Sequence, residues 1–315
     1  MRYHAPARAA VDPAVFARPP LAAWRDYAAL LEDAAWPSLQ RLNDQLPVAA
    51  ATRFVAQTPP LLADGLHYEQ RIAERGQIAT RAGNWHDLLN ALVWLRHAPI
   101  KQALNRRQVA EIARMGPKLR SRAQYAMTHF DEAGVLVLLR DPALLALWDA
   151  HDWHGLFWRR RQAWLDGAIK IDVFGHALLE HALTPDKLLV GKALVFVANS
   201  DADIGQLRAA CTQAIDAGVV LSDPLQLRPL PLSGIPGWRA DSEAEAFHLN
   251  AACYQPRRPG RSYPPPQELA ARNGVTAVAC AGVRSSDGGL SGEYTENLEL
   301  TPWQALAGSH TDWEG

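Results

Sequence analysis

The sequence predicts a single main α+β domain in which antiparallel hairpins pack against apolar helices, followed by an extended, Pro-rich C-terminal strap. Three observations predict it. Two segments with helical spacing, 84–95 and 175–183, are apolar on nearly every side; two stretches of β-like alternation flank glycine-containing turns; and from Pro224 the composition turns to proline. A helix that is apolar all round needs burial, an alternating stretch needs a sheet face, and proline interrupts both hydrogen-bond ladders. The 315 residues suffice to bury a full core, and the composition suggests a main domain over 1–258 with an irregular tail over 259–315.

Taken in order, residues 1–20 carry Pro6, Pro13, Pro19 and Pro20 and are expected to lie extended. Leu21, Trp24, Tyr27, Ala28 and Leu31 then take helical spacing over 21–33, and a second short helix is expected over 37–46. Residues 53–56 read as a brief strand that Pro59-Pro60 breaks. Residues 67–71 and 77–81 read as a hairpin about Glu74-Arg75-Gly76, delivering Arg81 and Asn84 to the helix at 84–95. Beyond Pro99 the spacing of Ile100, Ala103, Leu104, Val109 and Ile112 predicts another helix, with Lys101 and Asn105 on a shared, solvated face.

Residues 124–131 and 135–140 read as a second hairpin about Glu132-Ala133-Gly134, which makes Asp131 and Glu132 turn residues. Asp141-Pro142 opens a helix through Trp148, and 152–165 forms the next, with Trp153, Leu156, Phe157 and Trp164 on one stripe and Arg159 and Arg161 facing away. A strand over 169–174 turns at Gly175 into the helix 176–183. A buried strand over 193–197 and a helix over 202–217, ended by Gly218, complete the regular elements before the strap at 224–238. Residues 275–283 offer one more strand.

Composition excludes several function classes. The net charge is −1, and the 27 Arg and 5 Lys are matched by 33 acids, so non-specific nucleic-acid binding is not indicated. The interleaved Trp and Arg of 153–164 share one helical face as core residues do, whereas a base-stacking platform exposes its rings. Cys211, Cys253 and Cys280 are far apart with no Cys-x-x-Cys pair, which points to a reducing cytoplasm and away from a disulfide framework or structural zinc. No signal core opens the chain and no apolar run is long enough for a bilayer, so a soluble, cytoplasmic protein without a membrane partner is expected. Gly205 lacks the Gly-x-Gly spacing of a dinucleotide fingerprint.

Chemistry concentrates on the two apolar helices. Asn84 with Asp87 three residues on forms a variant capping box, so Asp87 reads first as a cap. His86 and Asn90 have no such local use: each belongs either to a satisfied buried network or to a ligand or catalytic site. His176 and Glu180 lie four apart on one face, a spacing that suits two ligands of one metal or a His beside the carboxylate that orients it. Neither helix can satisfy these groups within its own turns, so the two are expected to be neighbours. The expected site draws on His86, Asp87, Asn90, His176 and Glu180. A carboxylate-oriented His would activate water directly or through a divalent metal, and Arg81 would stabilise a small anionic substrate. The competing expectation is a non-catalytic binding or scaffold protein, with the same residues as a core network and a Trp-rich surface for a protein partner.

Two resemblances follow from particular residues. The His86-Asp87 pair resembles that of HD-type metal-dependent phosphohydrolases, which also need an earlier His and a later Asp on other helices; upstream, this chain offers His67. More extensively, Tyr68-Glu69-x-Arg71-Ile72, Arg81-x-Gly83-Asn84-Trp85-His86-Asp87-x-x-Asn90-Ala91-Leu92-Val93-Trp94, Phe130-Asp131-Glu132-x-Gly134, Trp153-x-Gly155-Leu156-Phe157-Trp158 and Phe174-Gly175-His176-Ala177-Leu178-x-Glu180 resemble an uncharacterised bacterial family, a domain of unknown function. The resemblance covers about 47–258 and implies membership without an activity, ligand or catalytic residue. The family pattern stops near Arg258, which sets the tail apart.

Overall fold

A computed structural model describes residues 3–116, 118–198 and 202–269. The chain divides into two compact units. One spans 5–269 and is described below; the other, 1–4 with 270–315, lies almost wholly outside the described residues, as does the strand expected at 275–283.

The N-terminal residues expected to be extended contain 3-10 turns at Arg8–Ala10 and Pro13–Ala17, and the helix expected over 21–33 is a 3-10 stretch, Leu21–Tyr27, followed by α1 (Ala28–Leu31). Next come α2 (Leu39–Asn43), β1 (Arg53–Ala56), α3 (Pro59–Leu62), α4 (Tyr68–Arg75) and β2 (Gln77–Thr80). The hairpin expected at 67–81 is therefore corrected: its first arm is a helix. His67 caps α4, and Gly76 at φ 63° ends it in the left-handed conformation that glycine adopts without strain. Because α3 and α4 intervene, β2 pairs with β1 in parallel, Phe54 opposite Ile78.

The second expected hairpin is also a helix running into a strand, α7 (Arg122–Ala133) into β3 (Gly134–Leu139). Ser121 and Gln124 close a capping box, each side chain accepting the other residue's backbone N–H. Ala123, Ala126, Met127, Phe130 and Ala133, spaced three and four apart, form the buried stripe. Between β2 and α7 lie α5 (Trp85–Arg96) and α6 (Ala98–Met115), and α6 corrects another expectation. Lys101 and Asn105 are not solvated; they are 4% and 6% exposed, because their face of α6 meets the acids of neighbouring helices.

After β3 come α8 (Leu144–Asp149), a π-helical turn at His154–Arg159, α9 (Arg161–Leu165), β4 (Ile169–Val173), α10 (His176–His181), β5 (Val190–Val197), α11 (Ile204–Asp216), β6 (Arg228–Pro231), α12 (Glu245–Asn250) and β7 (Gln267–Glu268). The main sheet runs β4-β3-β5-β6. Strand β3 lies antiparallel to β4 and parallel to β5. On the far edge of β5, antiparallel β6 takes 190–193 and parallel β7 takes 196–197.

Central β3 is buried along its whole length, with Val135 to Leu139 at 0% exposure, as a strand covered on both faces must be. Each of its large side chains contributes about 1.5–3 kcal/mol by burial. Helices α7 and α11 pack on this sheet. The mixed helix-and-sheet class expected from the sequence thus holds, with antiparallel pairs at β3/β4 and β5/β6 in place of the two hairpins. The strap contributes β6, whose Pro229 and Pro231 suit a strand at a sheet margin. The compact unit runs to Leu269, past the boundary expected at 258. Among the described residues no helix is long and apolar enough to cross a membrane.

Candidate metal centre

Helix α5 begins at a cap that the sequence dictates. The Asn84 side chain accepts the Asp87 N–H at 3.0 Å. The Asp87 carboxylate accepts the Arg81 backbone N–H at 2.6 Å and the Arg81 guanidinium at 2.7 Å from Nη2. This pair locks the turn at Gly83, φ 67°, onto the helix start. Asp87 and Arg81 are thereby committed to each other, and the next residue outward, His86, is held in the first turn of α5.

Helix α10 begins equally tightly. A Cβ placed on Gly175 would sit 2.4 Å from the Ala133 Cα and 2.5 Å from the Glu132 carbonyl oxygen, so glycine alone permits this approach. Phe174 and Gly175 both donate their backbone N–H to the Gly134 carbonyl at 2.9 Å. The start of α10 therefore lies against the end of α7, which sets His176 beside Glu132.

The two apolar helices are neighbours, as their stranded polar groups require. His86 Nδ1 lies 3.1 Å from Glu180 Oε2, and His86 Nε2 lies 3.0 Å from His176 Nε2. Glu132 Oε2 is 3.6 Å from the same His176 nitrogen. One ligand atom each from His86, Glu132 and His176 thus falls within 4.8 Å of the other two. The His176 side chain is 4% exposed, whereas Glu180, Glu132 and His86 are 16%, 18% and 27% exposed, so His176 is the most enclosed member of the cluster.

Electrostatics fixes the protons. Burial alone would discharge His86, but its hydrogen bond to Glu180 and the charges of Glu132, Glu180 and Asp87 prevail and push its pKa up to about 9. A protonated His86 would donate Nδ1–H to Glu180 and Nε2–H to His176. Burial pushes Glu132 up to about 7, with Asp131 and Glu180 adding to the rise and His86 and Lys101 opposing it. One proton between two imidazole nitrogens, beside a carboxylate, stands where a metal ion would take its place. Two nitrogens of a tetrahedral zinc site lie about 3.3 Å apart, close to the spacing here.

Of the six residues expected at the site, His86, His176 and Glu180 come together directly. Arg81 and Asp87 form the pair at the helix start. Asn90 faces another network: its Nδ2 donates to the Tyr68 hydroxyl at 3.1 Å, and its Oδ1 accepts from Lys101 Nζ at 3.0 Å. Sequence reasoning missed Glu132, which it placed on a turn. Its presence in Phe130-Asp131-Glu132-x-Gly134, within a capped helix of three-and-four spacing, was the available signal. His67, the upstream residue of the HD-type resemblance, is the N-cap of α4, its side chain accepting from the Glu69 N–H.

Residues 52–258 match a family described as a protein of unknown function, DUF3025, and the chain belongs to that family. No curated protein and no solved structure matches the chain.

Proposed function

We propose that this DUF3025 member is a hydrolase that works through one divalent metal held by His86 Nε2, His176 Nε2 and the Glu132 carboxylate, acting on a small anionic substrate. The observation that carries the proposal is the convergence of those three ligand atoms, with the far nitrogen of His86 already bonded to Glu180. A metal-binding imidazole commonly donates its second N–H to a carboxylate, which fixes its tautomer and strengthens it as a ligand. Three protein ligands leave a coordination position for water, and the metal's contribution there is to bring that water's acidity towards neutrality. Glu180 orients His86. Arg81, paired with Asp87 but with its side chain 45% exposed and close enough to Glu180 for their charges to interact, is the half-exposed cation this reading assigns to a substrate anion.

Metal analysis of purified protein tests this, combined with a screen against phosphoesters, carboxylic esters and nucleotides with and without chelator. One zinc, manganese or iron per chain and a chelator-sensitive turnover are expected. His86→Ala, His176→Ala and Glu132→Gln should each remove the metal while the protein stays folded. Absence of bound metal, with no uptake on addition, would refute the proposal.

A scaffold reading is favoured by one observation, that His86 joins Glu180 and His176 in a hydrogen-bond chain made of protein groups alone. Under it, His176→Ala and Glu180→Ala chiefly destabilise, by about 1–3 kcal/mol for each stranded partner. Their midpoints in urea would then fall without any change in metal uptake.

A further inference from the structure

We infer that Lys101 is a positioning residue for the His86–Glu132–His176 cluster, an assignment that rests on the metal-centre reading above. Its side chain is 5% exposed. The ammonium lies 2.6 and 2.8 Å from the two Asp131 oxygens and 3.0 Å from Asn90 Oδ1. An ammonium has three N–H donors, and three oxygens surround this one, so it is fully used inside the protein.

Where those oxygens come from gives the arrangement its meaning. Asn90 stands one helical turn after His86 on α5, and Asp131 immediately precedes Glu132 on α7. Lys101, on α6, therefore ties together the two helices that carry His86 and Glu132, gripping each beside its ligand. The brace has its own supports. Tyr68 on α4 accepts from Asn90, and Asn105, one turn beyond Lys101, donates to the Glu69 carboxylate at 2.6 Å and to the Glu69 carbonyl at 2.9 Å.

A buried ion pair is an inefficient way to hold helices together, because desolvation offsets most of its attraction and apolar residues of similar volume often stabilise as well. What it adds is direction: three hydrogen bonds from one atom fix the separation of two backbones more closely than apolar contact does. It also sets a positive charge near Glu132, beside which the carboxylates of Asp131 and Glu180 accumulate.

The test compares Lys101→Met, close in shape but neutral, and the double variant Lys101→Met/Asp131→Leu, which leaves no stranded carboxylate, with the parent protein. Three quantities are measured: zinc affinity by competition with a chromophoric chelator, the visible spectrum of the cobalt(II) form, and histidine ring nitrogen signals of the metal-free protein. Zinc affinity should fall about 10–100-fold, as for other groups that orient ligands, with shifted cobalt bands and loss of the shared-proton signals of His86 and His176. A variant that unfolds cooperatively at a changed midpoint but keeps zinc affinity and ring signals would overturn the assignment. So would failure of both variants to fold, which would mark a plain core pair. If the parent binds no zinc, cobalt, manganese or iron, the metal reading itself fails. The ring signals of the folded variants then decide the role of Lys101: lost signals support it and unchanged signals overturn it.

Discussion

Gly175 sets the distance between two of the three candidate ligands, and it does so by having no side chain. The backbone of 132–134 occupies the space a Cβ would need, at 2.4–2.5 Å. Gly175→Ala should push the start of α10 off the end of α7, destabilising the protein by about 1–3 kcal/mol and weakening zinc binding as His176 withdraws from Glu132. Unchanged thermal midpoint and zinc affinity in that variant would show the approach to be incidental. Single residues were legible to very different degrees. His86, His176 and Glu180 stood out because polar groups on apolar helices need partners, and the structure supplies them from each other. Glu132 did not, because a carboxylate near a glycine looks the same in sequence whether it ends a turn or a helix. Lys101 was misread as solvated because helical spacing tells which residues share a face but not what that face meets.

At the level of elements, the junction of α5 and α6 carries a testable cost. His97 sits between them with a fully buried ring, edge-on to Trp24 and Phe174, and its Nδ1 is 3.8 Å from Asp172 Oδ2. Burial depresses its pKa to about 3 against the opposing charge of Asp172, from an ordinary value of 6.5. The unfolded chain therefore binds a proton at this residue below 6.5 that the folded protein refuses until about pH 3. Stability supplied by neutral His97 is complete above 6.5 and lost as pH falls, by about 2 kcal/mol at pH 5. Urea midpoints measured between pH 7 and 5 should drop less in His97→Leu than in the parent; parallel profiles would contradict this. The same scale explains the two misplaced hairpins. Both were read from local alternation about a glycine, yet Gly76 terminates a helix and Gly134 begins a strand directly after one. Capping residues, His67 in one case and Ser121 with Gln124 in the other, were the better evidence because they act on backbone groups rather than on pattern.

Over the whole molecule, the segment just past the family match is part of the fold. Arg228, 2% exposed, is held by Asp149 at 2.7 Å and donates to the Pro264 carbonyl at 2.8 Å. His151 Nε2 lies 2.8 Å from the Tyr263 hydroxyl, and β7 completes the edge of β5. A chain ending at Arg258 should be less stable than one ending at Leu269, by about 1–3 kcal/mol for the stranded Arg228 donor and further for the lost strand. Equal thermal midpoints for the two truncations would place the true boundary at 258.

What the sequence by itself determined is local and compositional: the helices of 84–95 and 176–183, the strands of 135–140 and 193–197, the mixed class, and the need of His86, His176 and Glu180 for buried partners. Periodicity and the cost of an unpaired buried polar group are properties of a segment, so a segment suffices to read them. The tertiary structure alone decided that β1 and β2 run parallel, that Glu132 meets His176, and that Lys101 is enclosed. Each of these depends on which surfaces meet across dozens of residues, where the free energy lies in contacts between elements and leaves no trace in either element taken alone.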